Sequence, residues 1–442
     1  MTLPSRHVTE GMHNALNRIY FHAMGLVRDD IDRPMVGVGT AWHGASPAGE
    51  LPLRVARAAE EGVWSGGATP RQFATIADVD GAGLATLRPG LVTRELVADS
   101  VELTVRGHSY DALVAVGAGP LALAGLMLAM CRLDVPSLVV PLAGRAFGSD
   151  ADADALAVAA ETLGLALPGA AAAGDAVATA LAAADGAGAG VASRLAEAVD
   201  PRQLVTATSL RRAAAKLGEL DANPALTIHL AALAVECGVD LSLGDLAGAM
   251  GEAAGRPSWV EGSLAPEGAL LHGPAARSSG RAQVFDDERA ACDWVGAERW
   301  PEATVLVVRR QGPLGGPGMP ALDALAAVVD RAGAPPGALL VTDGRAPAIH
   351  GVACVTAVGP EAAAGGALAA LRDGDVVSLD GSAGTIDAAI PDRSWGAAAP
   401  DPSGEPDLPP ALAKYRRTVR PAAWGASTHP GAAAETVRYG DL

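Results

Sequence analysis

The chain has 442 residues, of which half are hydrophobic and only 3% aromatic, and a formal net charge of −17. That length holds two domains with substantial cores, and a core of Ala, Val and Leu suits packed α/β layers rather than a disulfide or coiled-coil scaffold. The negative charge, with only two lysines (Lys216 and Lys414) and no basic run, excludes nucleic acid and anionic membrane as expected partners.

Residues 34–42 (PMVGVGTAW) read as a buried strand, and residues 50–63 as a helix ended by Gly66-Gly67. Thr93 opens a helix expected to place Leu96, Val97, Val101 and Val105 on one face. Residues 112–117 (ALVAVG) read as a strand, 121–133 as a helix and 137–142 (SLVVPL) as a strand. Strands alternating with helices predict a parallel sheet covered on both faces. Residues 153–167 and 170–184 read as Ala-rich helices, 186–190 (GAGAG) as a flexible break and 226–237 as a helix. Residues 251–267 are rich in Gly, Pro and Ser, which puts a domain boundary there: residues 1–255 as an α/β unit and 256–442 as a β-rich unit. In the second unit, residues 304–308, 338–342, 352–358, 375–379 and 385–388 read as short strands with few helices between them, as in a barrel. Residues 397–410 read as a loose tail and 412–419 as a short helix docking the C-terminus.

The four cysteines, Cys131, Cys237, Cys292 and Cys354, are far apart and form no CxxC pair, so neither a zinc site nor a disulfide framework is expected. The N-terminal residues show no signal-peptide pattern, and no apolar run is long enough to span a bilayer, so a cytoplasmic protein is expected.

A colinear series of segments then carries a resemblance. Among them are SRHVTEG (5–11), MGLVRDDIDRPMVGVGTAW (24–42), GGATPRQFATIADVDG (66–81), TRELVADSVELTVRGHSYDALV (93–114), LAALAVECGVDLSLGDL (230–246), GSLAPEGALL (262–271), QGPLGGPGM (311–319), VGPEAAAGG (358–366) and LRDGDVVSLD (371–380). Together they resemble the dihydroxy-acid dehydratase and phosphogluconate dehydratase family over nearly the whole chain. The resemblance implies an N-terminal parallel-sheet α/β/α domain, a C-terminal β-barrel-like domain and a homodimer. It also implies dehydration of sugar acids and dihydroxy acids. A cluster iron acts on the leaving hydroxyl, a magnesium held by carboxylates and a carbamylated lysine positions the substrate, and a serine alkoxide takes the α-proton.

The chain departs from that pattern at the working positions. Ala48 follows Ser46-Pro47 where the family has its first cluster cysteine. Ala118-Gly119-Pro120-Leu121 stands for Gly-Cys-Asp-Lys, and Phe147 falls at the third cysteine. Of the metal carboxylates, Asp80 remains, with Asp78 nearby, while Ala321 replaces another. Pro347 stands for the base serine, and a block between Leu246 and Gly262 is missing. Carbon side chains cannot replace thiolates on iron, and magnesium needs several oxygen ligands, so no cofactor and no metal ligand is expected.

Polar residues expected to ring the former site are His43, Glu50, Asp78, Asp80, Arg88, His108, Asp343, Arg345 and His350. His43, Asp80, His108 and His350 are the candidate catalytic residues, with His43 placed after a strand where α/β proteins contact ligands. The plainer readings are a surface-loop histidine for His43 and a capping or packing role for His108. Arg88, Arg94, Asp343 and Arg345 are the candidate substrate-binding residues. Two functions follow. One is a cluster-independent lyase, isomerase or cyclase acting on a small carboxylated molecule. The other is a non-catalytic scaffold or partner that pairs with an active dehydratase as a heteromer.

Overall fold

The computed structural model describes residues 3–45, 48–78, 89–143, 151–256, 258–274, 277–298, 300–390, 408–435 and 439. Strands β1 (Met35–Ala41), β2 (Thr69–Thr75), β3 (Ala112–Ala118) and β4 (Ser137–Leu142) form an all-parallel sheet in the order β2-β1-β3-β4. Alternate side chains of each strand enter different cores. Val36, Val38, Val114, Val116, Leu138 and Val140 pack under the helices Leu51–Ser65 and Val177–Glu197. Met35, Leu113, Ala115 and Val139 pack under the helices Leu91–His108 and Pro120–Leu133. Burial on both faces is why β1, β3 and β4 are continuous apolar runs.

Two expectations are corrected in this domain. The GAGAG stretch lies inside one unbroken helix, Val177–Glu197. Its glycines serve close packing: a Cβ on Gly188 would sit 2.1 Å from the carbonyl oxygen of Ala59 on the neighbouring helix. Leu96 is 40% exposed while Val97, Val101 and Val105 are buried, because residues four apart share a helix face and adjacent ones do not.

The second sheet has eight strands: β5 (Trp259–Val260), β6 (Ala269–His272), β7 (Arg277–Phe285), β8 (Thr304–Val308), β9 (Leu339–Thr342), β10 (Ala353–Thr356), β11 (Val376–Asp380) and β12 (Thr385–Ala389). Their order is β12-β11-β7-β8-β9-β10-β6-β5, and a bridge from Glu261 to Thr385 joins the two ends, so the sheet nearly closes into a barrel. Val305, Val307, Leu339, Val341, Val355 and Ile386 fill its interior. Leu306, Val308, Leu340 and Cys354 face outward, under the helices Glu288–Glu298 and Asp323–Ala332. The chain is thus an α/β protein with a parallel-sheet domain and a barrel-like domain. The expected terminal helix is present at Pro410–Thr418, with Leu412 and Tyr415 buried against the first domain. Of the expected loose tail, residues 397–407 lie outside the described residues. No helix among the described residues is long and apolar enough to cross a membrane.

Candidate functional site

In a sheet of order 2-1-3-4, the connections leaving β1 and β3 diverge, and the crevice beyond their carboxyl ends is where such folds bind ligands. His43 follows β1, Asp78 follows β2 and Gly119 follows β3, so all three lie at that edge. The His43 ring is committed on both sides. Its Nδ1 accepts from the Ala45 N–H at 3.2 Å, which makes Nε2 the protonated nitrogen, and Nε2–H donates to the Asp78 carbonyl at 2.9 Å. The Asp78 carboxylate caps the helix Pro120–Leu133, accepting from the backbone N–H of Leu121 at 3.1 Å and of Ala122, where the helix dipole favours a negative charge. Gly119 has φ of +85°, and a Cβ there would lie 2.4 Å from Asp78 Oδ2. The side-chain space at that position is filled by a carboxylate. Glu50 is exposed and makes no side-chain cap to the helix that follows it. Asp80 and Arg88 lie outside the described residues.

The Leu91 N–H donates to the Gly318 carbonyl at 2.7 Å, docking the start of the helix Leu91–His108 on the barrel domain's glycine-rich loop. Three of the expected substrate-binding residues gather behind this junction. Arg94, fully buried, gives Nε and Nη2 to Glu95 Oε1, and Nη2 also to the carbonyls of Gly425 and Ala426 at 2.7 and 3.0 Å. Arg345 Nε donates to the Met319 carbonyl at 2.7 Å. Burial, then the positive charges of Arg94 and Arg345, hold the nearby His229 well below the usual histidine range, so it is neutral.

Asp343 is buried and accepts from the backbone N–H groups of Gln311 (2.8 Å), Ala362 (2.9 Å) and Arg310 (3.1 Å). Burial still pushes its carboxyl up. Glu361 accepts from the N–H groups of Leu314 and Gly315, both at 2.9 Å, and burial followed by the neighbouring Asp343 charge raises its carboxyl to about 7. Both carboxyls thus fix the loop that carries Gly312 to Gly318. Both also line a cavity of about 370 Å³ with Leu243, Trp259, Glu267 and Pro421. Among the described residues that line it, the charged ones are the acids Glu267, Asp343 and Glu361.

The remaining candidates lie elsewhere. His108 is exposed at the end of its helix, at the opposite edge of the sheet, stacked on Tyr110 at 5.5 Å between ring centroids. His350 is exposed, and its backbone N–H donates to Asp330. Glu361, His229 and Tyr415 were not singled out from sequence. The signal was present for the first two: Glu361 is the sole acidic residue between Ala346 and Leu371, and His229 stands before the apolar run Leu230–Val235 in its helix.

The family's metal groups do not fit the described donors. Ala48, expected from the resemblance at the first cysteine position, is buried in the same aliphatic cluster as Val55, and Gly119, expected at the second, faces Asp78. Phe147 lies outside the described residues. The four thiols are dispersed: Cys131 lies on the helix Pro120–Leu133, Cys237 ends the helix Thr227–Cys237, Cys292 lies on the helix Glu288–Glu298, and Cys354 lies on β10. Among the described residues, no three His, Cys, Asp or Glu side chains converge on a metal-sized space.

Comparison with known proteins matches the N-terminal dihydroxy-acid/6-phosphogluconate dehydratase model to residues 33–147 and 148–252, and the C-terminal one to residues 249–426. Dihydroxy-acid dehydratase 2 of Bradyrhizobium diazoefficiens is 32% identical over 100% of this chain and 98% of its own length. Dihydroxy-acid dehydratases of Parvibaculum lavamentivorans (30%, covering 100% and 98%) and Metallosphaera sedula (28%, covering 96% and 98%) are also similar. The first alignment runs over 570 positions, well beyond this chain's 442 residues, so that relative carries segments with no counterpart here.

Proposed function

We propose, from the premise that the chain belongs to the dihydroxy-acid/6-phosphogluconate dehydratase family, that it keeps the family's frame without the iron–sulfur cluster and magnesium, and acts as a non-catalytic scaffold or partner of an active dehydratase. The observation that carries this reading is the fate of the ligand position at Gly119, where the Asp78 carboxylate caps a helix in the space a thiolate would need. The rest of the described polar set supports it. His43, Arg94, Asp343 and Arg345 spend their hydrogen bonds on backbone groups and on each other's neighbours, which is how a frame is held, not how a proton is moved.

A second reading is a cluster-independent lyase, isomerase or cyclase. One observation favours it: the Glu361 carboxyl, raised to about 7, borders a cavity of about 370 Å³. A carboxyl in that range can give and take a proton at neutral pH. The cavity's acidic lining suits a neutral or cationic small molecule better than a carboxylated one.

Purification followed by iron and sulfide analysis, turnover assays with a dihydroxy acid and a sugar acid, and co-expression with an intact family member test both. Metal-free protein that forms a stoichiometric complex with the intact dehydratase supports the first reading. Turnover lost in Glu361→Gln supports the second. Stoichiometric iron and sulfide with dihydroxy-acid turnover would overturn both.

A further inference from the structure

The cavity beside Glu361 continues past its own walls. A second cavity, of about 610 Å³, lies next to it, and the two share Leu243, Trp259, Glu267 and Ala423. Trp259 and Glu267 thus stand at a neck between an inner and an outer chamber. The indole is fixed there: Nε1 donates to Glu261 Oε1 at 2.9 Å, and the ring lies against Gly244 and Gly268, leaving no room for a Cβ on Gly268. Carboxyls occur along the whole passage. Asp343 and Glu361 are buried at the inner end, and Glu267 is exposed at the neck. Asp245, Glu252 and Glu261 are exposed around the outer chamber, which also holds Arg211. Leu243, Pro313, Ala357, Val358 and Trp259 supply apolar wall to the inner chamber.

We propose that this passage binds an aliphatic diamine or polyamine, with one ammonium at the Glu361 and Asp343 carboxyls, a second at Glu267, and the methylene chain along Trp259. The acids are spread along the passage: among the described residues, no three His, Cys, Asp or Glu side chains converge on a metal-sized space. Separated carboxyls with apolar wall between them match a ligand charged at both ends and apolar in the middle. The indole adds attraction for an ammonium passing its face. A chain of net charge −17 draws cations toward a cleft lined with its own sign. The two acids that would hold the ends have capacity left. Glu361 accepts from the Leu314 and Gly315 N–H groups, fewer donors than its two oxygens can take. Glu267 makes no side-chain hydrogen bond or ion pair among the described residues. Burial, then the Asp343 charge, raises the Glu361 carboxyl to about 7, and the Arg416 charge offsets only part of this. An ammonium beside the pair relieves that cost. The inference rests on the second reading above in taking the cavity as a ligand site, but it requires no turnover.

Titration calorimetry on the full chain with putrescine and spermidine, and with butylamine and a sugar acid as controls, tests it. Putrescine should bind roughly tenfold more tightly than butylamine, the worth of one added charge-assisted contact. Glu267→Gln should remove that advantage, and Glu361→Gln should weaken both amines. Glu267 is exposed, so its variant keeps the circular dichroism spectrum and the test stays readable if the Glu361 variant fails to fold. At pH 7, putrescine should release about half a proton as the bound ammonium drives the Glu361 carboxyl to ionise, read from heats in buffers of different ionisation enthalpy. No binding of either polyamine at millimolar concentration would overturn the proposal, as would binding indifferent to both substitutions or a sugar acid that competes with putrescine. Amine binding without turnover would remove the catalytic reading and leave this inference standing. Turnover of another molecule that needs Glu361, with no amine binding, would do the reverse.

Discussion

The carboxylate of Asp78 occupies the direction in which a side chain on Gly119 would point, with Oδ2 only 2.4 Å from the position of a Cβ. The same carboxylate accepts the first free N–H groups of the helix Pro120–Leu133, so the glycine and the acid form one unit. Gly119→Ala adds a left-handed backbone cost of about 1–2 kcal/mol and a clash with Asp78. Asp78→Ala alone loses a helix cap, about 0.5–2 kcal/mol. In the Asp78→Ala background, the cost of Gly119→Ala should shrink toward the backbone term alone. A double-mutant cycle on urea midpoints reads the coupling, and strictly additive costs would show that the two residues do not share this space.

Arg94 separates a structural role from a ligand-binding one. It is fully buried, ion-paired to Glu95 and bonded to two carbonyls of the C-terminal segment. Arg94→Met leaves Glu95 without this partner, and the expected loss is about 3–5 kcal/mol. Lysine cannot supply the fork of donors, so Arg94→Lys should recover little. Limited proteolysis should cut the segment around residues 420–435 sooner in both variants. Unchanged stability with weakened binding of a small acid would instead make Arg94 a ligand residue.

His429 gives the C-terminal segment a dependence on pH. Its Nε2 lies 2.9 Å from Glu236 Oε1, and that neighbouring carboxylate raises its proton affinity despite partial burial. A base whose folded pKa is raised stabilises the fold fully below its unfolded value, about 6.5, and loses that contribution as pH rises through the folded value. The thermal midpoint should therefore decline from near pH 6.5 upward, and His429→Gln should flatten that limb. A slope unchanged by the substitution would place its origin elsewhere.

His272 acts in the opposite sense. Burial, followed by the Arg256 charge, lowers it to about 4, so the folded protein holds it neutral. The stability it confers is present above pH 6.5 and is lost as pH falls toward 4. Each pKa unit is worth about 1.4 kcal/mol, so the acid limb should lose on the order of 3 kcal/mol over that span. Replacing His272 by Leu should remove most of the limb between pH 6.5 and 4, measured by denaturant titration at a series of pH values.

How far the sequence could be read depended on where each segment is buried. Strands β1, β3 and β4 are buried on both faces, so they are apolar apart from Thr40 and Ser137, and legible. Strand β2 (TPRQFAT) lies at the edge of its sheet and pairs only with β1, so its polar residues and Pro70 hid it. Strand β7 (RSSGRAQVF) exposes alternate side chains and hid for the same reason. GAGAG reads as a break by propensity alone; contact with the neighbouring helix overrode it, because Gly188 permits an approach that any side chain would block.

The sequence by itself determined which chemical groups the chain possesses: four dispersed thiols, a His43 placed just after a strand, and an Asp78 and a Gly119 within segments that resemble the family. Only the tertiary structure decided what those groups do. Whether a histidine or carboxylate is free to meet a ligand depends on the orphan N–H and C=O groups around it, and these come from distant segments. Helix Pro120–Leu133 claims Asp78, a carbonyl and an amide claim the His43 ring, and the C-terminal segment claims Arg94. A buried polar group takes the partner that folding brings to it, because leaving either unpaired costs more than most surface interactions return.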